Sequence, residues 1–163
     1  MAETKYGKYF ISQGLLPGPG LVTFRLDENI IKGCNFYWVM MKVPDQYSEP
    51  ADYPMAGHPP HIHRDAELLF HIGTNPDDPM DLGAEVEIYM GPEMERHVFN
   101  KTACIYIPPN FIHCPWRPFN VVKPWIFIEV NQGSLHSEKS FRQLLPKQTR
   151  EKIDWSRWED DGY

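Results

Sequence analysis

Two imidazoles and a carboxylate fall within seven positions of the stretch Gly57-His58-Pro59-Pro60-His61-Ile62-His63-Arg64-Asp65-Ala66-Glu67. This is a ligand density suited to a metal ion, and it constrains the local backbone. A helix would swing His61 and His63 about 200° apart around its axis, and the Pro59-Pro60 pair just before them opposes a helix. An extended chain puts both imidazoles on one side, about 6.6 Å apart. Straight continuation would carry Glu67 about 13 Å past His63, so the chain is expected to turn at Arg64-Asp65-Ala66 and bring the carboxylate back. The stretch therefore predicts strand, tight turn, strand.

The rest of the chain reads in the same idiom. Residues 21–26 and 35–43 are rich in β-branched and aromatic residues and are separated by turn formers, so both are expected strands, the second buried on both faces. Residues 45–55 form a proline-punctuated loop and 67–72 the returning strand. Thr74-Asn75-Pro76-Asp77-Asp78-Pro79 is a turn whose acids are read as a solvated loop rather than a calcium loop. Residues 84–90 alternate as a half-exposed strand, followed by a turn at Gly91-Pro92-Glu93. Residues 103–107 and 125–130 supply two more strands. Only after Gly133 does the pattern change: 137–145 and 147–155 read as two short helices split by Pro146, the first capped by Ser134 or Ser137. Many strands followed by a helical tail predict an all-β sandwich or barrel. The expected division is an N-terminal arm over 1–20, with Tyr9 and Phe10 packing on the domain, a barrel over 21–133 and a helical tail over 134–163.

Composition excludes several partners. The 163 residues suit one domain with a sizeable core. Sixteen basic against 22 acidic residues leave a net charge of −6 and no basic tract for nucleic acid or anionic lipid. The first residues lack the apolar run of a signal peptide and no window is long and apolar enough for a membrane span, so a soluble, cytoplasmic protein is expected. Cys34, Cys104 and Cys114 are odd in number and without CxxC spacing, which argues for reduced thiols rather than disulfides or a zinc knuckle.

Two stretches resemble the cupin superfamily. His61-Ile62-His63-Arg64-Asp65-Ala66-Glu67 matches the first cupin motif and Pro108-Pro109-Asn110-Phe111-Ile112-His113 the second. The resemblance spans roughly residues 35–130. Met55 stands where the first motif opens on glycine, and Gly73 comes one residue early. In the second motif Thr102, Asn110 and Arg117 replace glycine, glycine and asparagine. These departures touch turns more than ligands, and asparagine tolerates the positive φ that such a turn requires.

The resemblance implies a cupin-like jelly-roll β-barrel with His61, His63, Glu67 and His113 holding one divalent transition metal inside it. Spacing alone groups only the first three; His113 joins by analogy. Three imidazoles and a carboxylate suit Fe, Mn, Ni, Co or Zn and leave coordination positions open. Strand parity puts His71 on the face of Glu67, either as a supporting group or acid/base, or simply as a packed histidine. Arg117 has the parity of His113 and the chemistry to bind a substrate carboxylate bidentately. His58 and His97 are expected to be solvated, and Cys114 to face away from the metal. The function expected is an enzyme acting on a small organic acid, phenol or related oxygen-bearing molecule, of oxygenase, isomerase, decarboxylase or lyase type. The alternative is a non-catalytic metal- or ligand-binding cupin. The expected partners are a small-molecule ligand and, by analogy, a second copy in a homodimer.

Overall fold

The computed structural model describes residues 5–11, 21–44, 58–157 and 162–163. Ten strands run in chain order: β1 (Leu21–Leu26), β2 (Phe36–Lys42), β3 (His61–Ile62), β4 (Glu67–Gly73), β5 (Asp81–Met90), β6 (Glu95–Lys101), β7 (Ala103–Ile107), β8 (His113–Phe119), β9 (Trp125–Asn131) and β10 (Lys139–Ser140). They form two five-stranded sheets, β1-β2-β9-β4-β7 and β10-β3-β8-β5-β6, and every pairing is antiparallel. The shared core draws Met40, Leu69, Ile107, Trp125 and Phe127 from the first sheet and Leu82, Val86 and Ile88 from the second. This is the all-β, two-sheet jelly roll expected from the sequence.

Register stacks the inner face of the first sheet in layers, because directly paired residues point to the same side. Glu67 pairs with Asn131 and Asn131 with Phe36; Leu69 pairs with Glu129 and Glu129 with Trp38. His71 and Met40 flank Phe127, and Lys42 pairs with Trp125. Apolar packing and a line of polar groups therefore share one interior. The outer positions of β2, Tyr37, Val39 and Met41, stay half-buried, so this strand is not buried on both faces as its composition predicts. β5 departs the other way. Glu87 is buried rather than solvated, because Arg96 and Arg117 close on it at 2.5 and 3.0 Å.

Two features differ from the sequence reading for tertiary reasons. β6 carries no clear strand signal in its sequence. It is an edge strand exposed along most of its length, so no alternation marks it. The helix expected over 137–145 is replaced by β10, whose Lys139 and Ser140 pair with Ile62 and His61, followed by a 3-10 turn at Arg142–Leu144. An open backbone edge on β3 outweighs local helix propensity here. The second helix shrinks to Lys147–Arg150, with Pro146 at its N-cap. Tyr9 and Phe10 are 69% and 73% exposed instead of packed. The 45–55 loop lies outside the described residues, as does part of the N-terminal arm.

Candidate metal centre

The turn at 64–66 forms as its residues require. Gln132 N–H donates to Ala66 O at 2.8 Å, and Asn110 N–H donates to His63 O at the same distance. Gly133 permits the approach, since a Cβ there would lie 2.0 Å from the Asp65 carboxylate. Asn110 adopts φ +59°, the left-handed geometry expected of it. The second-motif turn is thereby tied directly to the first.

These contacts bring four side chains together. His61 on β3 is the backbone partner of His113 on β8, and Glu67 opens β4 in the opposite sheet. All four predicted ligands are 1–3% exposed. His61 Nε2 and His63 Nε2 are 3.1 Å apart, His63 Nε2 is 3.3 Å from Glu67 Oε1, and His113 Nε2 is 3.0 Å from Glu67 Oε2. His63, Glu67 and His113 can each direct one ligand atom to within 4.8 Å of the others.

The outer nitrogens explain the orientation. Nδ1 of His61 contacts Pro59 O at 2.7 Å, Nδ1 of His113 contacts Phe111 O at 3.2 Å, and Nδ1 of His63 contacts Ser137 O. A carbonyl can only accept, so each Nδ1 carries the hydrogen, which leaves Nε2 as the inward atom that a bound cation would take. Nε2 atoms gathered beside a carboxylate call for positive charge between them, from a proton or a metal ion. Asn131 Nδ2 donates to Glu67 Oε1 at 3.0 Å, while the buried Oε2 accepts no hydrogen bond. That orphaned oxygen and the facing imidazoles fit a divalent cation.

The electrostatics favour positive charge beside Glu67. Burial and the neighbouring rings of His113, His58 and His63 push His61 well below the usual imidazole range. Burial also opposes charge on His63, but the Glu67 hydrogen bond and charge outweigh it and raise His63 to about 9. Glu67 is itself driven well below the usual carboxylate range, since His113 and His63 overcome its burial.

Other polar groups surround the centre. Glu129 shares the inward parity of Asn131; burial, reinforced by the charge of Glu67, raises it to about 8. His136 Nε2 lies 3.9 Å from Glu129 and 4.0 Å from Glu138. His58 is drawn out of solvent by Glu138 at 3.1 Å and by stacking on His61 at 4.3 Å. His97 is exposed as expected and contacts Glu95 at 3.4 Å. Cys114 does not face away: its thiol lies within 4.8 Å of ligand atoms of His61 and His113. None of Glu129, Asn131 and Lys42 was singled out from sequence, yet each occupies a core-facing parity in its strand, and that was the signal available.

His71 points inward as parity predicts, but it is fully buried away from the four ligands. Its Nδ1 contacts Leu69 O at 3.2 Å, and Trp116 Nε1 donates to its Nε2 at 3.0 Å. Burial lowers it to about 3, so the neutral ring is a packed, hydrogen-bonded element of the aromatic core.

Arg117 does not share the face of His113. Met90 pairs with His113 and Ile88 with Trp116, so β8 uses one more residue than β5 across this interval. That bulge reverses parity. Trp116 turns inward against His71 and Phe127, and Arg117 turns out, 3.0 Å from Glu87. Arg117→Met is therefore expected to leave metal content unchanged and to destabilise the fold by about 3 kcal/mol, the effect of removing one partner from a buried ion pair. Thermal denaturation beside metal analysis checks this; metal loss with an unchanged midpoint would contradict it.

No family model matches the chain, and no curated protein matches it. Among solved structures, a Bacillus subtilis oxalate decarboxylase variant aligns at 16% identity over 83% of this chain and 33% of that chain, with a TM-score of 0.49. A second variant of the same enzyme aligns at 15% identity over 85% and 33%, with a TM-score of 0.48. A third, studied for its Mn(II) centres, aligns at 16% identity over 83% and 33%, with a TM-score of 0.48. The chain thus spans about a third of the length of the structures it matches. Among the described residues, no helix is long and apolar enough to cross a membrane. The jelly roll stands on its own strand pairings.

Proposed function

We propose that His61, His63, Glu67 and His113 hold one divalent transition metal, and that the protein is a metal-dependent cupin enzyme acting on a small organic acid, phenol or related oxygen-bearing molecule. One observation carries the reading: three buried imidazoles, each held through Nδ1 by a carbonyl, gather their Nε2 atoms beside the Glu67 carboxylate, whose Oε2 has no hydrogen-bond partner. A set of three nitrogens and one oxygen is compatible with Fe, Mn, Ni, Co or Zn. When bound, such an ion supplies Lewis-acid polarisation and open positions for a substrate oxygen. The chain's own contribution is orientation: Asn131 fixes Glu67, the carbonyls fix the rings, and the buried walls exclude water.

Protein purified without chelators is expected to contain about one transition-metal ion per chain, the occupancy of a single centre. Chelation should remove the ion, and one divalent metal should restore it. Turnover or oxygen uptake that follows metal content in a screen of small acids and phenols would establish the enzyme. A chain that takes up no divalent metal overturns the centre; a metal-loaded chain that binds such molecules without converting them is the non-catalytic alternative.

A further inference from the structure

Beside the metal centre lies a cavity of about 480 Å³ that the proposed centre does not include. It opens between β1, the outer strand of one sheet, and the segment leading into β10, the outer strand of the other. Its size falls within the usual range for small-molecule sites. Its lining includes Arg25, Asp27, Arg64, Asp65, Leu135 and His136.

Arg25 is the placed cation of this cavity. It pairs with Trp38, so its side chain leaves β1 on the inner face. The guanidinium lies over the rings of Phe36 and Trp38, at 5.1 and 5.9 Å from their centroids. These two rings hold the guanidinium, whose planar fork matches a carboxylate. Its acidic neighbours are Asp27, 4.0 Å from Nε, and Glu129, whose charge it favours. Arg64, the second cation, has its guanidinium 5.4 Å from the Tyr163 ring centroid. Because Asp27 and Asp65 balance the two arginines, the cavity is not a general basic patch.

The opposite wall borders the metal ligands. The His136 ring is 5.2 Å from the His63 ring, and the next residue, Ser137, provides the carbonyl that His63 Nδ1 contacts. Ser137 itself lines the cavity, as does Arg64, the residue after His63, so the cavity wall directly contacts a proposed ligand. Leu135 adds an apolar surface.

We propose that this cavity receives an organic carboxylate, its carboxylate on the Arg25 fork and its apolar body against Leu135 and His136. As the recognition site of the enzyme it rests on the metal-centre reading, but binding itself is testable separately. Benzoate serves as the probe and benzamide as its neutral counterpart. Both are titrated into wild type, Arg25→Met and Arg25→Lys, with the Arg25 Nε–H and His136 ring signals followed by NMR and metal content measured in parallel. Loss of a charge-assisted hydrogen bond is expected to weaken benzoate binding about tenfold to a hundredfold in Arg25→Met. Arg25→Lys should recover part of the affinity, and metal content should stay constant. Should Arg25→Met fail to fold, partial weakening in Arg25→Lys carries the test. Equal affinity in wild type and variants, or benzamide binding as tightly as benzoate, overturns the assignment. Absence of metal with Arg25-dependent benzoate binding would instead overturn the metal centre and leave the cavity assignment standing.

Discussion

His113→Ala is expected to reduce metal content from about one ion per chain to near zero and to remove the metal-dependent part of the stability. An ion that binds only the folded state stabilises it by about 2.7 kcal/mol at a hundredfold excess over Kd and about 4.1 kcal/mol at a thousandfold excess. His113 is the informative ligand because it comes from β8, whereas the other three lie within seven residues of one another. Its substitution leaves the Asn131–Glu67 hydrogen bond and the His63 contact with Ser137 untouched. The wild-type midpoint should fall on chelation and recover with metal; the variant midpoint should respond to neither. Protons compete for the same ligand nitrogens, so wild-type occupancy should also fall as pH drops through the imidazole range. A variant that keeps its full metal content, with a midpoint still sensitive to chelation, would remove His113 from the centre.

Lys42→Met should make the protein more stable, by about 1–4 kcal/mol near neutral pH. Lys42 is 1% exposed and points into the barrel. Its ammonium lies over Trp116 and Phe127 at 5.1 and 5.5 Å from the ring centroids, with Met40 Sδ at 3.5 Å. Burial lowers it from 10.5 to about 7, and the charge of Glu129 only partly restores it. For a base lowered on folding, the unfolded chain holds more protons between the two values, so stability rises with pH across that window. The cost of the buried ammonium is complete below pH 7 and relieved by about pH 10.5, with a ceiling of about 5 kcal/mol. Methionine keeps the length and apolar stem without the charge. The variant's advantage should therefore be largest at neutral and lower pH and shrink as pH rises towards 10. Denaturant titrations of both proteins across this range decide it: a gap that does not change with pH, or a less stable variant, would show that the lysine contributes through its contacts rather than costing stability through its charge.

Local sequence was sufficient where the physics is local. Proline before His61, the period-two spacing of His61 and His63, and the polar Arg64-Asp65-Ala66 forced strand, turn and strand, and Asn110 supplied the positive φ that the second turn needed. Apolar runs marked most of the strands. Where a residue's environment is set by a distant strand, its own neighbours carry no signal. β10 exists because β3 presents an unpaired backbone edge, and exposed β6 exists through its pairing with β5. Arg117 turned outward because the register of β8 against β5 shifts by one residue, a property of the pair that neither sequence displays alone. Only the packing of the two sheets converged Glu129 and His136 on the metal ligands and placed Arg25 at the adjoining cavity. Parity along each strand was legible, but the meeting of those faces is fixed by long-range packing between two sheets.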